Sequence, residues 1–368
     1  MLRVLFLHSD DVAANVRIRP MLETLSSAGR IRVATVDRNM TLTGARSERY
    51  DVLLAHRNLS RRQQSWLTAR DIPFVYDIDD LLLSDGAGGA RRIAEQRAIR
   101  WCLEHASIVC APSRRLLQTL GDKLPRGFGA RAHYLANPGR ESAPADKARG
   151  LPKFFWASSA QPMDAPDLDE ACLGINDAVQ SIGTEIVMVG RFPQRLLDFF
   201  PSRRVMDWIE PSAYLDLLAR EPLIAVAPLS LNLPAPRQTF ADCKSDIKVA
   251  QFGSSRIAGA YSAAPPFAES DLPCRIVPNN TRAAWLETLL ALARAFPEEG
   301  NRQADDAAFA RRQPSMLGGQ LHQVLQQTAA LTEPFSFRAI STPNIARTIE
   351  RRIRSLRSRI FGPRQLVR

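Results

Sequence analysis

The sequence predicts an α/β protein built from two doubly wound, Rossmann-like parallel sheets in tandem, and three observations predict it. Short aliphatic or β-branched runs alternate with amphipathic stretches along most of the chain, the pattern of repeated β-α-β units. A length of 368 residues with 45% hydrophobic content exceeds what most single cores contain. A Pro-, Gly- and charge-rich stretch without periodicity interrupts the alternation near residues 138–152.

In the first half, strands are expected at Leu2 to Leu7, Ile31 to Val36, Val52 to Ala55, Phe74 to Asp77, Ser107 to Cys110 and His133 to Ala136. Amphipathic helices are expected at Val16 to Ser27, Ser60 to Ala69, Arg91 to Glu104 and Ser113 to Leu120. After the linker, strands are expected at Phe154 to Ala157, Ile186 to Val189, Arg204 to Asp207, Leu223 to Ala227, Ile257 to Tyr261 and Arg275 to Val277. The helices between them are Leu168 to Ile182, Pro193 to Phe199, Pro211 to Ala219, Lys244 to Phe252 and Arg282 to Ala295. The expected division is a first domain at 1–137, a linker at 138–152, a second domain at 153–330 and a return segment with tail at 331–368. Ligands of such a pair bind at strand C-termini, in the crevice between the halves.

Composition excludes several classes. The longest apolar runs, such as Leu223 to Leu229, stop well short of the roughly 20 residues that span a bilayer. Met1 to His8 leads into Asp10 and Asp11 without a small-residue cleavage site, so it reads as a first strand and the chain as cytoplasmic. Five scattered cysteines without a CxxC pair point to reduced thiols, and with five scattered histidines they give no metal site. The net charge of +11 is concentrated in one place: Ser341 to Arg368 holds eight Arg and one Glu, hence +7. There Ile345, Ile349, Ile353, Leu356 and Ile360 recur every three or four residues, the pattern of a basic amphipathic helix over 344–368. Such a helix can lie on anionic lipid at the inner face of a membrane, or dock its stripe on the protein. Phe361 is the only aromatic residue in that tail, so nucleic acid is not an expected partner.

The first strand is followed by His8-Ser9-Asp10-Asp11-Val12-Ala13-Ala14-Asn15, which lacks the glycines that let a dinucleotide approach the backbone. No P-loop, GxSxG elbow or HExxH motif occurs, and Gly86-Ala87-Gly88-Gly89 reads as a flexible loop. Two clusters remain. Lys244, Ser245 and Lys248 sit where a loop becomes a helix, so backbone N–H groups, the helix dipole and two ammonium groups can converge on a phosphate. An ordinary capped turn with solvated lysines accounts for the same residues less well, because Arg191 ends a neighbouring strand. Asp77, Asp79 and Asp80 crowd one strand end, and at least one of them needs solvent, hydrogen bonds or a cation such as Arg17, Arg19 or Arg57. They bind acceptor hydroxyls or simply cap a turn.

Three stretches resemble the bacterial family 4 type of retaining glycosyltransferases. They are Val75-Tyr76-Asp77-Ile78-Asp79-Asp80-Leu81, Glu185-Ile186-Val187-Met188-Val189-Gly190-Arg191, and Ala227-Pro228-Leu229 followed by Phe240-Ala241-Asp242-Cys243-Lys244-Ser245-Asp246-Ile247-Lys248. The last resembles the branch with a Lys-Ser-Asp-Ile-Lys donor-site motif. The resemblance implies a GT-B fold, with two Rossmann-like domains facing a central cleft. It implies transfer of a sugar from a nucleoside diphosphate sugar to a saccharide or lipid-linked acceptor, with retention, without a tightly bound cofactor or metal, in surface polysaccharide or lipopolysaccharide assembly. Gly190, Arg191, Lys244, Ser245, Lys248 and Gln251 are the donor-side candidates. Arg17, His56, Asp77, Asp79 and Asp80 are the acceptor-side candidates, and Arg191, Lys248 and Asp79 carry the chemistry.

The sequence departs from that family at two linked positions. Members carry glutamates eight positions apart where Cys243 and Gln251 stand here, and Gln251 can hold a ribose only through a neutral amide. Gln161 stands in place of a histidine, while Asp164 is kept. A catalytically silent GT-B protein that binds a saccharide or a partner is the alternative these changes leave open.

Overall fold

The computed structural model describes residues 1–8, 11–37, 39–44, 49–69, 72–83, 90–124, 127–141, 150–158, 163–207, 209–298, 300–301, 307–331 and 335. The Gly86 to Gly89 loop, Gln161 and the basic segment 344–368 lie outside the described residues.

Seven strands make the first sheet: β1 (Leu2–His8), β2 (Ile31–Val36), β3 (Leu42–Gly44), β4 (Val52–His56), β5 (Phe74–Asp77), β6 (Ile108–Ala111) and β7 (Ala132–Tyr134). Their spatial order is β3-β2-β1-β4-β5-β6-β7, parallel throughout except for the short edge strand β3. Between them run α1 (Asp11–Ser27), α2 (Arg61–Thr68), α3 (Ala90–His105), α4 (Arg114–Lys123) and α5 (Phe128–Arg131). The central strands are buried on both faces, which is why they read as continuous aliphatic runs such as Val4 to Leu7 and Val52 to Ala55.

The second sheet holds β8 (Lys153–Ser158), β9 (Ile186–Gly190), β10 (Arg203–Met206), β11 (Leu223–Ala227), β12 (Gly259–Ser262) and β13 (Arg275–Val277). Its order is β10-β9-β8-β11-β12-β13 and every pairing is parallel. Its helices are α6 (Pro166–Ile182), α7 (Gln194–Leu197), α8 (Pro211–Arg220), α9 (Ala235–Asp242), α10 (Ile247–Ser254), α11 (Pro265–Ala268) and α12 (Arg282–Arg294). Strand order reverses between β1 and β4 in one sheet and between β8 and β11 in the other, and these reversals open the crevices where ligands bind such sheets.

Helix α6 packs on α12 so closely that Gly174 has no room for a side chain. A Cβ there would lie 2.3 Å from the Arg282 carbonyl oxygen and 2.8 Å from Trp285 Cβ. Alanine favours a helix over glycine by about 1 kcal/mol, but forcing a methyl against backbone costs about 1–3 kcal/mol. Gly174→Ala is therefore expected to lower stability on balance, read as a fall in the thermal unfolding midpoint.

Strand β3 and helices α5, α9 and α11 have no counterpart in the sequence expectation, and two further differences affect how the halves meet. Helix α10 starts at Ile247, three residues after the expected Lys244, because Asp246 turns the chain and its carboxylate is held by Arg312. The helix Pro314–Ala329, grouped by sequence with the second domain, packs on the first. Leu317, Leu321, Val324 and Leu325 form an apolar stripe that is buried with Met21, Leu22 and Leu25 of α1. The chain thus returns to the first sheet before residue 331, and Phe335 closes the return by bridging Tyr50 and packing beside Trp66. All five cysteines are free thiols.

Candidate functional site

Strands β1, β4 and β5 end side by side, placing His8, His56 and Asp77 in adjacent register. Asp77 and His56 are wholly buried, and Arg17 from α1 is 1% exposed. Arg17 grips the carboxylate of Asp77 with two nitrogens, Nη2 to Oδ1 at 2.7 Å and Nε to Oδ2 at 2.9 Å. His56 Nδ1 meets Asp77 Oδ2 at 2.9 Å, and His56 Nε2 has no partner among the described residues. Burial alone would raise the Asp77 pKa, but Arg17 and then His56 hold it below the ordinary carboxylate value. Burial likewise opposes the Arg17 charge, and Asp77 outweighs it. Arg17, His56 and Asp77, expected on the acceptor side, are therefore turned on one another beneath the strand ends rather than outward.

The next carboxylates face the crevice. Arg57, in a left-handed conformation with φ of 54°, binds Asp79 through Nε at 2.5 Å and Nη2 at 2.6 Å. Burial works against the Asp79 anion, yet Arg57 brings its pKa down to about 2. Asp80 differs: burial raises its pKa, and Lys244 only partly offsets this. Lys244 Nζ lies 3.7 Å from Asp80 Oδ1, so a lysine of the second half meets a carboxylate of the first across the crevice. The crowded strand end thus resolves into one carboxylate held by Arg17, one by Arg57 and one shared at 3.7 Å by Lys244 and Arg57, while Arg19 reaches His8 instead.

On the second half, Lys244 stands over the Phe240 ring at 4.6 Å, and Ser245 Oγ accepts from Asn137 Nδ2 at 2.6 Å. Lys248, one turn into α10, is partly buried; loss of hydration and then the neighbouring Lys244 lower its pKa to about 7. Asp246 accepts from Ser270 Oγ at 2.7 Å and from Arg312 Nη2 at 2.7 Å. The Asp246 side chain, at the residue preceding α10, makes no capping bond to the first turn of that helix. The entrance to α10 thus combines a helix start that its own N-cap side chain does not bond, two lysines and a serine hydroxyl, an arrangement that suits an anion.

Gly190 ends β9 with φ of +115°, and a Cβ there would fall 1.9 Å from the Ser158 carbonyl oxygen. Only glycine fits this close approach. Arg191 follows it, exposed and without a partner among the described residues. In the sheet order β8 and β11 separate β9 from β12, so Arg191 approaches the crevice from a different strand end than α10. Gln251 lies on α10 one turn beyond Lys248, partly exposed. Asp164 pairs with Arg237 beyond the undescribed segment 159–162.

Cys243, at one of the altered positions, is buried against the first half. It joins the apolar core under β5 and α4, and its thiol lies 3.3 Å from Thr119 Oγ1. A glutamate at that point would have to enter this contact, so the small apolar residue has a packing reason.

Asn137, Arg312 and Thr119 were not singled out by sequence. Their partners lie 108, 66 and 124 residues away, and no local pattern announces such pairs. The described residues contain no group of His, Cys, Asp or Glu able to hold a metal ion. None of the described helices is long and apolar enough to cross a membrane.

Residues 8–138 match the family described as Glycosyl transferase 4-like domain. No curated protein matches the chain in sequence. Among solved structures, a glycosyltransferase from Rickettsia africae is similar with a TM-score of 0.58 at 10% identity, over 90% of this chain and 99% of that one. HepE from Anabaena in complex with UDP-glucose is similar with a TM-score of 0.55 at 11% identity, over 89% and 100%. The UDP-N-acetylglucosamine 2-epimerase of Rickettsia bellii is similar with a TM-score of 0.50 at 8% identity, over 90% and 98%. At these identities the likeness is one of fold. Residues 8–138, within the first half, are similar to that family, and the chain as a whole has a GT-B architecture of two Rossmann-like parallel-sheet halves.

Proposed function

We propose that this protein is a glycosyltransferase that moves a sugar from a nucleoside diphosphate sugar to a saccharide or lipid-linked acceptor. The observation that carries the reading is the entrance to α10, where Lys244, Ser245 and Lys248 gather at the first turn of the helix and Lys244 meets Asp80 of the half that is similar to the glycosyl transferase 4-like domain. In the reaction, the bond from the anomeric carbon to the diphosphate oxygen breaks and its electron pair stays on the diphosphate. The acceptor oxygen bonds to that carbon, and the hydroxyl proton passes to the leaving diphosphate. Charge therefore develops on the leaving group, which Lys244, Lys248 and Arg191 stabilise. Gln251 holds the ribose through its amide, Gly190 lets the diphosphate approach the end of β9, and Asp79, oriented by Arg57, receives the acceptor. Arg17, His56 and Asp77 shape the floor beneath it.

Retention of configuration, a role in cell-surface polysaccharide or lipopolysaccharide assembly and work at the inner face of the cell membrane complete the proposal. The first two rest on the family resemblance, and the third on the basic segment 344–368.

The test is to incubate the protein with UDP-, GDP- and dTDP-linked sugars and follow release of the nucleoside diphosphate. Release from one donor, reduced at least tenfold in a Lys244→Ala/Lys248→Ala variant, is expected. Saturable nucleotide binding with no turnover of any donor would favour the silent GT-B protein, in which the neutral Gln251 leaves a binding site without catalysis.

A further inference from the structure

We propose that Asn137 is a positioning residue that fixes Ser245 as a hydrogen-bond donor to an acceptor-only group, a phosphate oxygen of the nucleoside diphosphate; this rests on the donor-site reading above. Hydrogen-bond polarity supports the assignment at each step. A guanidinium has donors and no acceptor. Arg17 is anchored by Asp77, and its Nη1 reaches Asn137 Oδ1 at 3.0 Å. The amide oxygen of Asn137 has to face Arg17, because an NH2 there would set donor against donor. Its Nδ2 then faces the other way and donates to Ser245 Oγ at 2.6 Å.

A hydroxyl that accepts along one direction sends its own proton along another. Among the described residues no group accepts that proton. Ser245 lies next to Lys244 and two residues before α10, so its outgoing proton belongs to the same anion-binding entrance. A relay thus runs from Asp77 through Arg17 and Asn137 to Ser245, crossing from the first sheet to the second. A preset donor needs no reorientation when a charged acceptor arrives.

The relay is held rigidly. Asn137 is 1% exposed, and its carbonyl oxygen accepts from Arg312 Nη1 at 3.3 Å. The same guanidinium binds Asp246 at 2.7 Å, and the Arg312 carbonyl oxygen accepts from Gly139 N at 2.8 Å. Asn137, which bonds Ser245 from the first half, and Asp246, its neighbour in sequence, are therefore both held by one residue of the returning chain.

The experiment is calorimetric titration of UDP, GDP and dTDP into the full chain as wild type, Asn137→Ala, Asn137→Asp, Ser245→Ala and the Asn137→Asp/Ser245→Ala double variant. Thermal unfolding of each checks that the fold is kept, and the partly exposed Ser245→Ala guards against loss of the buried Asn137 variants. Aspartate at 137 offers only acceptors, so it would draw the Ser245 proton inward and remove it from the ligand. Expected is a loss of affinity of about tenfold or more in Asn137→Asp and in Ser245→Ala, smaller in Asn137→Ala. The double variant should be little weaker than either of its single parents, because both act through one proton. Folded variants that bind as tightly as wild type, or a double variant that loses the product of the two single losses, overturn the role of Asn137. A folded wild type that binds none of the three nucleotides overturns the donor-site reading itself and this inference with it.

Discussion

Replacing Arg17 with alanine is expected to lower stability by about 3–5 kcal/mol, the range for removing one partner of a buried, hydrogen-bonded ion pair. Asp77 would keep its burial and lose the guanidinium that makes three of its hydrogen bonds. The loss should depend on pH in a defined direction. In the wild type the Asp77 pKa is depressed, so its contribution is present above the unfolded carboxylate value and fades as pH falls. Without Arg17 the dominant influence left is burial, which raises the pKa, so the folded variant takes up a proton more readily than its unfolded chain. The gap between wild type and variant should therefore narrow in acid. Arg17→Met combined with Asp77→Asn should cost less than the two changes summed, since neither then leaves a lone buried charge. Urea unfolding followed at pH 5 and pH 7.5 measures both effects. An Arg17→Ala variant within 1 kcal/mol of wild type at pH 7.5 would remove the buried pair from the account.

The second large effect is expected at Lys248. An ammonium held near neutrality by lost hydration and by Lys244 is restored to its charged form when a diphosphate approaches. Nucleotide affinity should then fall by up to about tenfold per pH unit above about 7, with a proton taken up on binding. The free protein moves the opposite way. The folded pKa of Lys248 lies below its unfolded value, so over the window from about 7 up to the ordinary lysine value the unfolded chain holds more protons, and stability rises with pH. Lys248→Met should abolish the proton uptake and weaken binding by roughly a hundredfold, as expected for loss of a desolvated charge contact. Titrations in buffers of different ionisation enthalpy read the proton count directly.

Much of this architecture could be read from the chain. Continuous aliphatic runs such as Val52 to Ala55 and Leu223 to Ala227 belong to strands buried on both faces, so the alternation of runs and amphipathic stretches was enough to expect two parallel sheets. The short edge strand β3 escaped because three residues, Leu42–Gly44, carry no periodicity. The helix Pro314–Ala329 escaped because Gly318 and Gly319 weaken its helical signal, although Gly318 is where the helix passes close to the Met21 carbonyl oxygen and Leu25 of α1. In the site, the acidic strand end and the Lys-Ser-Asp-Ile-Lys block were legible as local patterns. Their partners were not. Arg17 was one of three cations on offer for Asp77, and only the packing of α1 against the strand ends selects it. Cys243 read as a lost site residue, and its contact with Thr119 shows a packing role that depends on the second half touching the first.

The central question is whether the entrance to α10 binds a nucleoside diphosphate. Calorimetric titration of the full chain at pH 7 with UDP, GDP and dTDP decides it. Saturable one-to-one binding of one of these nucleotides is the predicted result, and it should weaken by roughly a hundredfold in a folded Lys248→Ala variant. A folded wild-type protein that binds none of them would contradict the account.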